Sequence, residues 1–449
     1  MEETERLGES IKDLLLGGGR DERLAHVLEE AHPADVSRVI RELPVEDQVR
    51  VFRLMSPQHA GAVLAELDDP VLRGLVGSLD EAEVSRALDR MPSDDVADVV
   101  DELPKEQAEE ILDLMEEEKA EEVQELLEYD EGTAGRLMSP EFVAVHEQAT
   151  VAQALEHIRK AKTGDGAFYV YVVDDHDHLV GLVPLHRLLA AEPATPIQAI
   201  RTEDVESVTV NTDQEEVARL VQHYNLIQVP VVDASRRLLG TIGVDDVIDV
   251  IREEATEDIQ RLGGAAGDET VLDPPRAVFL KRLTWRLINL GTAVLAASVI
   301  GLFESSIQAL ATLAVFMPIV ASMGGIGTTQ TATLVVRGIA LGDMTGSVLQ
   351  RVLWKEVWLG LTTGAANGLV IAAIAYIWKG QVLLALILGV ALVFNMLVAA
   401  VVGTLVPIAL KTFRVDPAIA SSVIITTFTD VFGFFSFLGL ATLLIKFLL

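Results

Sequence analysis

The sequence predicts a multidomain chain: an α-helical superhelical N domain, an α/β tandem pair of modules, a connecting helix, and an all-α membrane domain of five transmembrane helices. Three observations carry this reading. Charge is split along the chain, with a net of −38 over residues 1–270 and +5 over residues 271–449 of a total −33. Five long apolar stretches crowd the second part. The first part holds two kinds of internal repeat, one helical and one mixed. The expected boundaries are 1–132 for the helical domain, 133–243 for the paired modules (133–198 and 199–243), 244–270 for the connecting helix and linker, and 271–449 for the membrane domain.

The helical array comes first. Asp35-Val36 … Glu42-Leu43-Pro44 … Leu54-Met55 recurs as Asp95-Val96 … Glu102-Leu103-Pro104 … Leu114-Met115, and a shorter echo of about twelve residues runs through Arg90-Met91-Pro92 and Glu102-Leu103-Pro104. Apolar residues fall at helical spacing, and Pro is expected to open each new helix. Ser93 is expected to cap a helix whose first turns carry Asp94, Asp95 and Asp98. Asp94 and Asp98 share a face, and acids at a helix start also complement its dipole. This part is far too acidic to bind nucleic acid, since phosphate contacts need Lys and Arg. Its natural partners are cations or basic surfaces. The chain has no cysteine, which excludes disulfides and thiolate metal sites. The start, MEETERLG, lacks an apolar core, so no cleaved leader is expected.

Residues 138–260 twice give strand, helix, strand, strand, helix. Val172-Val173-Asp174 … Leu179-Val180-Gly181 recurs as Val231-Val232-Asp233 … Leu238-Leu239-Gly240, with helices starting near Thr150 and Thr212. This resembles a tandem pair of cystathionine-β-synthase-type (CBS) modules, which are regulatory and often bind adenine nucleotides. The nucleotide pattern is broken here: Gly243 stands where a hydroxyl is expected, and His186-Arg187 where an Asp would help hold a ribose. No nucleotide cofactor is assigned. His176 and His178 read as ordinary turn residues, and the histidines form no zinc motif. No Ser-His-Asp arrangement or phosphate-binding glycine loop occurs, so no enzymatic activity is expected.

Val244 to Leu262 reads as one long helix stopped at Gly263-Gly264. Asp246, Asp249, Glu253 and Glu257 step by three, four and four residues onto one face, with Glu254 and Asp258 beside them. Like charges at that spacing cost a helix about 0.2–0.5 kcal/mol per pair. A solvated acidic face explains them by itself; their position, leading straight into the first apolar stretch, suits a helix that passes a signal to the membrane.

The apolar stretches lie at about 283–303, 307–333, 353–378, 382–410 and 419–447, each long enough for a hydrocarbon core of roughly 30 Å. Arg276, Lys281, Arg282, Arg286, Arg337, Arg351, Lys355, Lys411 and Arg414 flank one side; Lys379 and Lys446 flank the other. The bias puts the N-terminal part in the cytoplasm and the C-terminus outside. In the second stretch, Met323-Gly324-Gly325-Ile326-Gly327-Thr328-Thr329-Gln330-Thr331 suits either a tight helix contact or a pore-lining break. Asp430 is read as the one deep carboxylate. Burying it costs about 2.5–3.5 kcal/mol, so it is expected at an aqueous path. Ser422, Thr426 and Asp430 lie on one face, with Thr427 near that stripe.

Taken in order, the architecture resembles the MgtE family of magnesium channels over nearly the whole chain. The matches are Asp213-Gln214-Glu215-Glu216-Val217-Ala218-Arg219-Leu220, Glu254-Ala255-Thr256-Glu257-Asp258-Ile259, Phe303-Glu304-Ser305, Asp416-Pro417-Ala418 and Thr429-Asp430. The resemblance implies a homodimer in the bacterial inner membrane that takes up Mg2+. It makes Asp430 the pore carboxylate, with Thr426, Thr427 and Ser422 around it. It assigns regulatory Mg2+ to Asp246, Asp249, Glu254, Glu257 and Asp258 of a "plug" helix, shared with Asp94 and Asp98, with Asp213 and Glu215 bearing on sensing. Four positions depart from the family pattern: Ile326 and Ser422 replace Asn residues, Ala62 an acid, and Leu226 an aromatic. Rival readings are a secondary transporter for Co2+ or Mn2+, or one coupled to another ion, and a membrane-anchored Mg2+ sensor.

Overall fold

The computed structural model describes residues 2–16, 21–160, 168–265, 267, 269–271, 273–344, 346–413 and 415–448; the side chains of 2, 3, 277 and 419–422 lie outside that description. The chain divides into two compact units, Met1–Ile251 and Arg252–Leu449.

The first unit opens with ten helices: α1 (Glu2–Leu16), α2 (Asp21–Glu30), α3 (Pro33–Arg41), α4 (Val45–Leu54), α5 (Pro57–Ala65), α6 (Asp69–Val76), α7 (Glu81–Leu88), α8 (Ser93–Asp101), α9 (Lys105–Leu114) and α10 (Glu117–Leu127). From α3 on, the N-caps are His32, Pro44, Ser56, Asp68, Asp80, Pro92, Pro104 and Glu116, one every twelve residues. The short echo in the sequence is thus the true period. Pro opens only some of the helices; Ser56 and Asp80 cap theirs with side chains. Ser93 is not a cap, because Pro92 takes that place; its hydroxyl donates to Glu122 of α10 at 2.6 Å. Alternate helices pack together, α3 on α5, α5 on α7, α7 on α9 and α8 on α10, which buries one stripe per helix and winds the array into a superhelix.

A short helix, α11 (Ala134–Leu137), leads into two like modules. The first comprises β1 (Ala144–His146), α12 (Val151–Lys160), β2 (Tyr169–Val173), β3 (Leu179–Pro184) and α13 (Leu185–Ala190). The second comprises β4 (Val208–Thr209), α14 (Gln214–Tyr224), β5 (Gln228–Val232), β6 (Leu238–Gly243) and α15 (Val244–Leu262). Each three-stranded sheet pairs its first strand parallel and its third antiparallel to the middle one, with an irregularity just before the turn, at Val172/Val173 and Val231/Val232. Thr150 caps α12 as expected, but Asp213 rather than Thr212 caps α14. Thr212 instead accepts the Thr209 amide.

The second unit begins within α15, whose C-terminal turns belong to it. It continues with α16 (Pro275–Gly301), α17 (Glu304–Ala309), α18 (Thr312–Ala340), α19 (Gly346–Lys379), α20 (Val382–Thr412), α21 (Pro417–Leu443) and α22 (Ile445–Leu448). Five of these helices are long and apolar enough to cross a membrane. The second starts at Thr312 rather than 307, because α17 forms a separate turn before it. The third starts at Gly346, so Arg351 lies within it rather than ahead of it. α20 is the most apolar of the five and packs against α18, α19 and α21. Gly360, Gly364 and Gly368 let α19 meet α20 closely: a Cβ at Gly368 would stand 2.7 Å from the Gly389 carbonyl.

Candidate ion path and acidic clusters

α18 and α21 of the second unit line a groove of about 920 Å3. Its walls include Ser322, Gly325, Thr329 and Gln330 from α18, and Thr426 and Asp430 from α21. Asp430 is half-buried among otherwise apolar helices. The glycine-rich stretch is not a break, since α18 runs unbroken through it. It serves two faces instead. Gly325, Ile326, Thr329 and Gln330 face the groove, while Gly324, Gly327 and Thr328 turn inward onto α20. Thr426 joins Asp430 at the groove. Thr427 is not among the lining residues, and its hydroxyl donates to the Val423 carbonyl of its own helix. The Ser422 side chain lies outside the described residues.

Behind the groove, Asn395 of α20 wedges between Gly324 of α18 and Gly433 of α21; a Cβ at Gly324 would overlap its amide. It is 1% exposed, and its Nδ2 donates to the Val320 carbonyl at 2.8 Å. Its Oδ1 is buried without a hydrogen-bond partner among the described residues. Asp430 is also not the single buried carboxylate of the helices. Glu356 of α19 is buried, accepts from Thr331 at 3.0 Å and pairs with Lys355 at 3.3 Å. The sequence reading missed both residues.

A carboxylate cluster sits inside the first unit. The start of α15 brings Asp245 and Asp246 to Asp94 and Asp95 of α8. Asp246 also accepts the Gly243 amide at 3.0 Å, and Asp94 accepts from Ser139 at 3.2 Å. Burial, and then the charges of Asp94 and Asp245, push the Asp246 carboxyl up to about 8. Burial, and then Asp94 and Asp98, push Asp95 up to about 7; burial pushes Asp94 up to about 6. Asp98 is drawn off by Arg136 at 2.9 Å, and its side chain is 70% exposed. Gly243 has a structural reason. A Cβ there would run into Asp245 and stand 3.2 Å from the Asp246 carboxylate, so the missing hydroxyl leaves room for the acids. Asp213 caps α14 by accepting the Glu215 amide at 2.8 Å, and Glu215 lies 3.8 Å from Arg219.

A second cluster lies inside the second unit. Arg261 pairs with Glu257 one turn before it and with Asp416 ahead of α21. Burial, followed by the charges of Asp416 and Glu254, pushes Asp258 up to about 6. Asp416 and Arg261 were not singled out as site residues in the sequence. Asp249, between the two clusters along α15, is exposed. The side-chain atoms that could ligate a cation in both clusters are mainly carboxylate oxygens. Carboxyls that retain protons near neutral pH suit exchange of those protons for a hard cation.

Together these features define a membrane protein in which a helical array and a CBS pair precede a five-helix domain with a polar groove. The chain matches the family described as MgtE, divalent cation transporter, over residues 317–440, the MgtE intracellular N domain over 31–132, and CBS domains over 134–194 and 197–253. It is 38% identical to the magnesium transporter MgtE of Thermus thermophilus over 71% of each chain. It is 30% identical to the magnesium transporter MgtE of Bacillus subtilis over 96% of this chain and 95% of that one. The chain belongs to the MgtE family. Among solved structures, the crystal structure of the soluble part of a magnesium transporter superposes with TM-score 0.52 at 30% identity, covering 56% of this chain and 99% of that one. The cytosolic domain of the Mg2+ channel MgtE in complex with ATP superposes with TM-score 0.52 at 36% identity, covering 54% and 99%.

Proposed function

We propose that the chain conducts Mg2+ into the cytoplasm across the bacterial inner membrane as a homodimer, with its N-terminus inside and its C-terminus outside, and that cytoplasmic Mg2+ closes it. The observation that carries this is the groove in which Thr426 and the half-buried Asp430 face Gly325, Thr329 and Gln330. An open groove on one chain becomes an enclosed path when a two-fold partner covers it. Two Asp430 carboxylates would then balance one Mg2+. That ion gives up its water reluctantly, so groove hydroxyls and carbonyls that hydrogen-bond its hydration shell suit passage without full dehydration.

Asp94, Asp95 and Asp246 would hold regulatory Mg2+ in the first unit, and Glu254, Glu257, Asp258 and Asp416 in the second. Bound cation neutralises the repulsion among these acids, so whichever gate position gathers them most closely binds more Mg2+ and is favoured by it. The relatives are magnesium transporters, which supports Mg2+ as cargo. Gly243 and Leu226 depart from the usual nucleotide pattern, so the proposal rests on Mg2+ alone and leaves open whether a nucleotide tunes the gate. The test is Mg2+ uptake into proteoliposomes by wild type and Asp430→Ala. Uptake that vanishes in the variant supports the path; equal uptake removes it. Uptake that needs a Na+ or H+ gradient would instead make the protein a coupled transporter.

A further inference from the structure

The β2–β3 turn of the first module and the β5–β6 turn of the second share one backbone conformation. In each, an aspartate at the strand end accepts the amides two and four residues on. Asp174 Oδ1 accepts from His176 at 2.8 Å and His178 at 2.9 Å; Asp233 Oδ1 accepts from Ser235 and Arg237, both at 2.8 Å. In each, the fourth residue is left-handed, Asp177 with φ 62 and Arg236 with φ 68. The turn therefore forms equally well around Ser and Arg side chains. What the first module adds is an imidazole at both of those positions.

The imidazoles converge on the aspartate. The two rings stack, with centroids 5.6 Å apart and planes 16° from parallel. His178 Nδ1 stands 3.1 Å from Asp174 Oδ2, and ligand atoms of Asp174, His176 and His178 all lie within 4.8 Å of one another. Two atoms that bind one ion at about 2.0–2.1 Å stand roughly 3.0–3.4 Å apart. The Asp174–His178 pair already has that separation, and His176 is exposed beside it, with its ligand atom within 4.8 Å of both. Asp174 divides its oxygens: Oδ1 takes the two backbone donors, and Oδ2 is turned toward the histidine.

We propose that Asp174, His176 and His178 form a binding site for a borderline divalent ion, Zn2+ or Co2+, with water completing the coordination. Imidazole ligands select such ions over Mg2+, which takes oxygen. The site therefore draws on a different pool of cations from the carboxylate clusters. It also sits on the seam between the modules. Leu179 donates to the Arg236 carbonyl at 2.9 Å, and Leu238 donates to the Asp177 carbonyl at 3.2 Å. Neighbouring charges have other partners: Asp175 meets His146 at 2.9 Å, and Asp177 meets Arg237 at 3.5 Å.

The experiment uses the full-length chain in detergent with Mg2+ in large excess, so that oxygen-only sites are filled. Co2+ is added, its stoichiometry is read by equilibrium dialysis, and its ligands by X-ray absorption. The expected result is a single Co2+ per chain with imidazole nitrogen among its ligands, displaced by Zn2+. The His176→Ser/His178→Arg variant copies the turn of the second module. It should keep the wild-type melting temperature without added metal and bind Co2+ more than about tenfold more weakly. Co2+ ligated by oxygen alone in the wild type, or nitrogen-ligated Co2+ retained in the variant, overturns the proposal. Should that variant fail to fold, the wild-type cobalt spectrum and the single His176→Ser variant decide the question.

Discussion

Arg261 holds Asp416 by one carboxylate oxygen while the other accepts the Ala418 amide at 2.7 Å and caps α21. The end of α15 is thereby tied to the start of the helix that carries Asp430. Arg261 is also a fixed cation among Glu254, Glu257, Asp258 and Asp416. Replacing it by Gln leaves those acids to repel one another unless a cation is bound. In Arg261→Gln, the rise in melting temperature on adding Mg2+ should exceed that of wild type. An equal rise would mean that the arginine does not screen this cluster.

The cap itself predicts a separable effect. Asp416→Ala loses the hydrogen bond to Ala418, which at a helix N-terminus costs about 1 kcal/mol. Asp416→Asn keeps a cap oxygen but loses the charge that faces Arg261. Thermal unfolding should rank wild type, then Asn, then Ala. Mg2+ stabilisation should weaken in both variants, because both remove a carboxylate. Full Mg2+ stabilisation in Asp416→Asn would show that this residue caps without taking part in cation binding.

The cluster of Asp94, Asp95 and Asp246 makes a pH prediction. Each carboxyl is raised in the fold above the roughly 3.9 of an unfolded chain. The folded form therefore holds protons that the unfolded form has lost. Stability from these groups is complete below about pH 4 and drains away as pH rises through their folded values of about 6, 7 and 8. With a chelator present, the melting temperature should fall between pH 6 and 8.5. Mg2+ must displace these protons, so its binding to this cluster should be about tenfold or more weaker at pH 6 than at pH 8. Asp246→Asn should flatten both slopes. Slopes unchanged in that variant would mean that other groups set them.

Local signals were legible in the residues themselves, and encounters between distant residues were not. Hydropathy placed all five long helices, because an apolar run of that length has few alternatives. The strand–helix–strand–strand–helix order of each module showed in repeated Val-Val-Asp and Gly positions. Cap positions were harder. Ser93 and Thr212 are good cap residues by type, yet Pro92 and Asp213 hold those places, because several neighbours could each have served. The meeting of Asp94 with Asp246 spans most of the first unit; no spacing announces it, and only the family resemblance pointed to it. Asn395 is a single polar residue in an apolar run, and Glu356 follows Lys355 near the start of α19; period alone does not say whether such a side chain meets lipid, groove or another helix.

The wedge at Asn395 separates hydrogen bonding from packing. Its bond to the Val320 carbonyl is an interhelical hydrogen bond, worth about 0.6 kcal/mol within a membrane. Asn395→Ala should therefore lower stability only modestly, and it removes an oxygen that has no hydrogen-bond partner among the described residues. Gly324→Ala acts oppositely, by driving a methyl into the Asn395 amide and forcing α18 off α20; overpacking of this kind costs about 1–3 kcal/mol. Because the same atoms are involved, the effects should not add. Gly324→Ala/Asn395→Ala should recover most of the loss, since truncating the amide makes room for the methyl. The groove lies on the other face of α18, so Gly324→Ala should also reduce uptake, and the double variant should restore it. Thermal unfolding and proteoliposome flux of the four proteins complete the cycle. Strictly additive losses would show that Gly324 is not held small by Asn395, and that the spacing between α18 and α20 is set elsewhere along the two helices.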